Sequence, residues 1–404
     1  MLGNRSSRVT QVTETRHAMP QWLQLNSPVP AVLAGVALAA VLAWTLIRIP
    51  LRPATKPWRA VARQVVGVLS SILLSILVLA LGLNAAQGWY PTWASLAGAG
   101  KVVDVSTSGR VEAETSTTAP WATGQPSALQ ADPRQNPALG SQDWSNPGQS
   151  RYLTVTIPGQ QGETGHRALV WLPASYLSQP ERFYPVILAF AGVPGSISTY
   201  QEGDMAIGQR IEELVGEHKM REAIVVVPDV FPDNLDTECV DASDGSIRTE
   251  SWLTTSVVPW ITANLRAIGD RQGWATLGLS AGGWCSTMLT MRHPELFGHS
   301  ISMAGYFKPL FDGKAYRPEG DPEYDLARIA EQNAPAVRLW VWTAKDDERP
   351  YAELTQFEPR VKAPTSLTST LLESGGHAPS VWETGLPVGL AWLGESAQFS
   401  GVAA

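Results

Sequence analysis

Cysteine is nearly absent. The 404-residue chain has two, Cys239 and Cys285, and no C-x-x-C spacing, which excludes a cysteine-built structural zinc site. Acidic residues are missing from the start of the chain. Residues 1–87 hold one, Glu14, against eight basic residues: Arg5, Arg8, Arg16, Arg48, Arg52, Lys56, Arg59 and Arg63. A basic excess is missing from the remainder. Of 30 basic and 37 acidic residues, 22 and 36 lie beyond residue 87, a net of −14 there. An acidic domain repels phosphate backbones, so nucleic acid is excluded as a partner.

Charge is missing altogether from two stretches. Residues 29–47 are apolar apart from Pro30 and Thr45, and residues 65–86 carry three serines and one asparagine. Each is long enough to cross most or all of a hydrocarbon core of roughly 30 Å as a helix. The first run starts too late and is too long for a cleaved signal peptide. The basic loop 48–64 between them has five positive charges and no acid. The positive-inside rule places it in the cytoplasm and everything after residue 87 outside. Trp89, Tyr90 and Trp93 follow the second run, where amphipathic rings favour a membrane edge. Residues 1–28 form a polar tail. Residues 87–150, from 102 rich in Ser, Thr, Ala, Pro and Gly without apolar period, read as a juxtamembrane segment and linker.

From residue 151 to 397 the texture is that of an α/β domain, with 398–404 as a tail. Residues 152–157 and 167–172 read as an antiparallel hairpin. Strands are expected at 184–190, 223–227, 300–303, 337–343 and 366–372. Helices are expected at 205–219, 249–265 (kinked at Pro259), 281–291 and 380–393. Such alternation gives a mostly parallel sheet covered on both faces, with chemistry at the carboxyl ends of the strands.

Trp274-Ala275-Thr276-Leu277 runs as a strand into Gly278-Leu279-Ser280-Ala281-Gly282, and a helix follows. A G-x-S-x-G between strand and helix lifts the serine above the sheet edge on a strained turn. The hydroxyl needs a base. Of six histidines, His17 precedes the first apolar run. His166 falls in the hairpin turn, on the wrong side of the core sheet. His218 ends a polar helix, and His293 and His299 belong to the crossover after the serine helix. His377, in Glu373-Ser374-Gly375-Gly376-His377, follows the last strand in a flexible turn that can reach Ser280. The strand before it in sequence ends at Ala344-Lys345-Asp346-Asp347-Glu348. Asp347 is the preferred acid, Asp346 the second choice and Glu348 the third, in the order Ser, Asp, His. Oxyanion donors are expected at the Ala281 amide and at Val193, with Gly192 behind it, because Pro194 has no N–H. This chemistry calls for no cofactor and no metal. An even cysteine count in a domain outside the cytoplasm predicts a Cys239–Cys285 disulfide.

Residues 151–394 resemble the antigen 85/esterase D type of α/β-hydrolase, the putative esterase family. The likeness rests on Tyr184-Pro185-Val186 before the glycine loop, on 278–283, on Arg292-His293-Pro294 with Phe297, and on Gly375-Gly376-His377 with Val381-Trp382. Asp236-Thr237-Glu238-Cys239 and Tyr90-Pro91-Thr92-Trp93 resemble membrane-anchored actinobacterial members. Many such members have more than two membrane helices, which implies a shortened N-terminus here. The resemblance implies acyl-ester chemistry on Ser280, Asp347 and His377, and the family's acid position takes Asp or Glu. The expected function is that of a membrane-anchored extracytoplasmic serine esterase acting on acyl esters or lipids. The family's acyltransferases, such as mycolyltransferases, imply the alternative of a sugar or lipid hydroxyl in place of water. A non-catalytic cell-envelope binding protein on the same scaffold is the third reading.

Overall fold

The chain divides into two units, Met1–Trp93 and Ala94–Ala404. A computed structural model describes residues 24–49, 56–109, 126–140, 144–160, 165–309, 317 and 321–401. His17 and the basic residues Arg5, Arg8, Arg16 and Arg52 lie outside them.

In the first unit, α1 (Pro28–Ala43) runs on through a π turn, Trp44–Arg48. The second helix, α2, spans Pro57–Gln87. It begins eight residues before the apolar run, so Arg59 and Arg63 ride on helix rather than loop. Pro57 at the first helical position, pre-set in φ, is the reason. The helical stretches of 21 and 31 residues are long and apolar enough to cross a membrane. Gly88 ends α2 in the left-handed region, at φ 70°. Thr45 Oγ1 donates to Val41 O at 2.8 Å. A Cβ on Gly67 would stand 2.4 Å from that oxygen, so the helices approach closely there. Asn84, the one amide in the apolar run, donates to Leu25 O (3.0 Å) and Tyr90 O (2.9 Å) and accepts from Tyr90 N (2.8 Å). Leu25 N donates to Pro91 O at 3.0 Å. The chain approaching α1 and the chain leaving α2 are thereby tied together.

Among the described residues the second unit is built on nine strands: β1 (Val102–Gly109), β2 (Arg151–Ile157), β3 (His166–Leu172), β4 (Val186–Phe190), β5 (Ile224–Pro228), β6 (Trp274–Leu279), β7 (His299–Met303), β8 (Arg338–Ala344) and β9 (Ser366–Leu372). Their order is β1-β9-β8-β7-β6-β4-β5-β3-β2. The run from β9 to β5 is parallel, and β1 and the β3–β2 hairpin are antiparallel. Fully buried β4 and β5 read as continuous apolar stretches for that reason, whereas β7, equally buried, carries His299, Ser300 and Ser302. One apolar layer is covered by α5 (Thr249–Trp252), α6 (Val258–Asn264), α7 (Ala281–Arg292), α8 (Leu326–Gln332) and α9 (Glu348–Phe357). The other is covered by α4 (Ile207–Gly216) and α10 (Pro379–Leu393).

Of the expected linker 102–150, residues 110–125 and 141–143 lie outside the described residues, and the described parts correct the expectation. β1 pairs with β9 along its whole length, from Val102 opposite Leu372 to Gly109 opposite Ser366. Further on, α3 (Ala128–Ala131) and two short turns, capped by Asp132 and Asn136, bring Leu139 to full burial. β1 lies at the sheet edge with Val102, Val103 and Val105 exposed and with Ser106 and Ser108 at its half-buried positions, so no apolar alternation marks it in the sequence. The helix across Pro259 does not break there. A π turn at Leu253–Val257 joins α5 to α6 and absorbs the proline, which has no N–H to give.

Candidate active site

Parallel register sets the site. Phe190 lies opposite Gly278, Leu279 opposite Met303, Met303 opposite Trp342 and Ala344 opposite Leu372. The carboxyl ends of β4, β6, β7, β8 and β9 therefore form one edge. The segments that follow them carry Val193, Ser280, Asp347 and His377.

Ser280 stands between β6 and α7 at φ 54°, ψ −124°, a conformation that L residues avoid. Its N–H is held by Met303 O at 2.9 Å. Two glycines let the turn close: a Cβ on Gly278 would meet Gly282 O at 2.0 Å, and one on Gly282 would meet Phe190 O at 2.2 Å. The loop after β4 lies against the serine, since a Cβ on Gly192 would be 3.1 Å from Ser280 Cβ. Ala281 is the first residue of α7, where an N–H has no partner in its own helix.

His377 reaches in from the turn after β9, where Gly376 has φ 62°. Its Nε2 is 2.8 Å from Ser280 Oγ and its Nδ1 is 2.8 Å from Asp347 Oδ2. Asp347 is 6% exposed and immediately precedes α9, without a capping bond from its side chain. Asp346 points elsewhere and accepts from Gly376 N–H at 2.9 Å. Ser280, His377 and Asp347 are thus in unbroken contact, and the second-choice acid braces the histidine loop.

Cys239 and Cys285 form a disulfide with Cα atoms 5.6 Å apart. It closes a span of 46 residues, worth about 2–4 kcal/mol in the chain-entropy account. It ties the loop after β5 to the second turn of α7. That loop is strained, with Glu238 at φ 50° and Cys239 at φ 52°. Glu238, fully buried, accepts from Tyr306 Oη at 2.9 Å, and its carbonyl accepts from Trp284 Nε1 at 2.8 Å. Burial first, then the Glu238 charge, hold the Tyr306 hydroxyl well above its ordinary value.

The other described histidines are placed differently from one another. His299 is fully buried in β7, and burial, then the Arg338 and Arg271 charges, push it down to about 3. His218 is exposed just past α4. His166 corrects an expectation: β3 runs antiparallel to β5 with Ala168 opposite Pro228. Its first residue therefore sits at the carboxyl edge, not the far one. His293 binds Glu250, a buried hub that the sequence did not reveal. Glu250 Oε1 accepts from Arg292 Nε at 2.7 Å and meets His293 Nε2 at 2.7 Å, and Oε2 accepts from Tyr324 Oη. A cavity of about 690 Å³ beside Arg292 opens where α7 ends, away from Ser280. Among the described residues no group of three His, Cys, Asp or Glu side chains could hold a metal ion.

The family model for the putative esterases matches residues 163–392. A ferulic acid esterase superposes at a TM-score of 0.50 and 20% identity, over 62% of this chain and 99% of its own. An S-formylglutathione hydrolase from Agrobacterium tumefaciens does so at 0.50 and 16% identity, over 62% and 96%. At these identities the structural likeness is one of fold.

Proposed function

The chain belongs to the putative esterase family, and on that premise we propose that it is a serine esterase with Ser280 as nucleophile. The observation that carries the reading is the contact of Ser280 Oγ with His377 and of His377 with Asp347, both at 2.8 Å. An ionised carboxylate only accepts. Asp347 therefore keeps the His377 proton on Nδ1 and leaves the Nε2 lone pair facing the serine.

Nε2 takes the hydroxyl proton as Oγ bonds to the ester carbonyl carbon, and the carbonyl π pair moves onto oxygen. The N–H groups of Ala281 and Val193 receive that oxyanion, with Gly192 as the alternative to Val193. The pair returns, the ester C–O bond breaks, and the alcohol leaves with the proton from Nε2. Water then attacks the acyl-enzyme. His377 takes its proton and returns it to Ser280 as the carboxylic acid departs. Asp346 takes no part in the transfer.

The first unit serves as a two-span anchor. Arg48, Lys56, Arg59 and Arg63 lie at its turn end, where positive charge favours the cytoplasmic side. Leu25 and Pro91 meet at its other end, as the two outer ends of a hairpin must. Trp89 and Trp93, 37% and 56% exposed, follow there. Both facts support a catalytic unit outside the cytoplasm. Protease added to intact spheroplasts should remove residues 94–404; cleavage only after lysis would invert the topology.

The test of the chemistry is labelling by a fluorophosphonate probe. The wild type should carry the adduct on Ser280 and hydrolyse acyl esters. An unlabelled, inactive wild type would end the proposal. Mass spectrometry of products with an added hydroxyl acceptor separates transfer to water from transfer to an alcohol.

A further inference from the structure

Among the described residues, Ser280 and Asp347 meet the His377 imidazole through hydrogen bonds and Trp382 meets it ring to ring, and the mechanism uses the first two. Trp382 lies in the first turn of α10. Its ring meets the imidazole edge to face, with centroids 5.5 Å apart and planes at 81°. Hydrogen bonds at Nδ1 and Nε2 define a line through the ring. Tilting about that line stretches both bonds only slightly, so they restrain it weakly. A ring packed across the imidazole blocks the tilt directly.

The platform under Trp382 is rigid. Trp342, on β8, donates from Nε1 to Val381 O at 2.8 Å, which fixes the first turn of α10 to the strand that leads to Asp347. A Cβ on Gly375 would stand 2.6 Å from Val381 Cγ2, so the histidine loop rests on the same turn. Ala378, between His377 and α10, is fully buried.

The indole N–H shows what the tryptophan is not there for. Trp382 Nε1 is buried and has no hydrogen-bond partner among the described residues. An unsatisfied buried donor is costly, and phenylalanine would fill the position without one. The hydrogen bond that usually accompanies a tryptophan with a buried N–H is missing. What remains is the ring's area, partly buried against the apolar layer under α10 and set edge to face against His377.

We propose that Trp382 is a positioning residue that holds the His377 imidazole in the plane shared by Ser280 and Asp347. This rests on the Ser280–His377 reading above. The experiment compares Trp382→Phe and Trp382→Leu with wild type in kcat, KM, fluorophosphonate labelling rate and melting temperature. Misplacement of a catalytic group by 1 Å is worth roughly 100-fold. Trp382→Leu should therefore lower kcat and labelling rate about 10- to 100-fold with KM within about twofold. Trp382→Phe, which loses area but also the orphaned donor, should melt within about 4 °C of wild type. Its labelling rate should still fall several-fold. A structural role alone predicts the opposite pattern, in which rate falls only as the folded fraction falls. A Phe variant that labels at the wild-type rate, or a Leu variant whose loss matches its unfolded fraction, overturns the inference. Failure of the wild type to label overturns the Ser280 reading instead.

Discussion

His377 and His293 look alike by every local measure but one. Each side chain is 22% exposed, and each holds a carboxylate that is 8% or less exposed, at 2.8 Å for Asp347 and 2.7 Å for Glu250. The difference is the second ring nitrogen. On His377 it faces the Ser280 hydroxyl at 2.8 Å. On His293 it faces a second carboxylate, Glu295, at 3.3 Å. Two carboxylates lock an imidazole as a cation: against the cost of burial, the bonds to Glu250 and Glu295 raise His293 to about 9. Such a ring cannot accept a proton at neutral pH. One carboxylate and one hydroxyl leave a ring that can both take and return one. A His–carboxylate pair is therefore common ground between a structural hub and a site, and the partner on the other nitrogen separates them.

The largest effect that tests this contrast falls on the hydroxyl. Ser280→Ala should abolish probe labelling and lower ester turnover on the order of 10⁴-fold or more, with the fold retained by circular dichroism. Near-wild-type turnover would make the Ser280 contact as structural as the Glu295 one. Next comes the carboxylate. Asp347→Asn should cost roughly 10³–10⁴-fold in kcat, because the amide cannot hold the proton on Nδ1 as a carboxylate does. Asp346→Asn weakens the brace on Gly376 and should cost about tenfold or less, within the range of a slightly displaced catalytic group. Inactive Asp346→Asn beside active Asp347→Asn would exchange the two roles.

The positions of Ser280, Asp347 and His377 are legible because each follows a strand that the sequence shows. Parallel register then brings those ends together without further information. The antiparallel hairpin of β2 and β3 is legible because its partners are neighbours in sequence, but what depends on antiparallel pairing between distant strands is not. His166 was assigned to the wrong edge because the direction of β3 is fixed by β5, some 60 residues away in sequence. β1 is hidden because its half-buried positions are Ser106 and Ser108 rather than apolar residues, and its partner, β9, comes more than 250 residues later. The start of α2 was missed because hydropathy ends at the last charge, whereas a helix continues through Arg59 and Arg63 at no cost. Glu250 reads as one more surface acid until Arg292, His293 and Tyr324 gather around it from 42, 43 and 74 residues away.

The smallest effect concerns stability, and it tests the hub half of the comparison. Burial alone would raise Glu250, but the bonds to His293 and Arg292 take it from 4.5 down to about 2. A carboxylate lowered on folding contributes stability that is present above about 4.5 and lost as pH falls through about 2. A histidine raised on folding contributes stability that is complete below about 6.5 and lost as pH rises through about 9. The cluster is fully engaged only between those windows, from about 4.5 to 6.5. Arg292 stays charged throughout, so the pair is weakened at high pH rather than left with an unpaired acid. Urea unfolding of the wild type should therefore show stability declining between about pH 7 and 9.5. His293→Asn keeps a donor for Glu250 but cannot titrate, so it should start lower and decline less over that range. Its probe labelling at Ser280 should stay at the wild-type rate. An equal decline in both proteins would show that the His293 charge does not hold this end of α7. A labelling rate that falls with the substitution would erase the distinction between the two histidines.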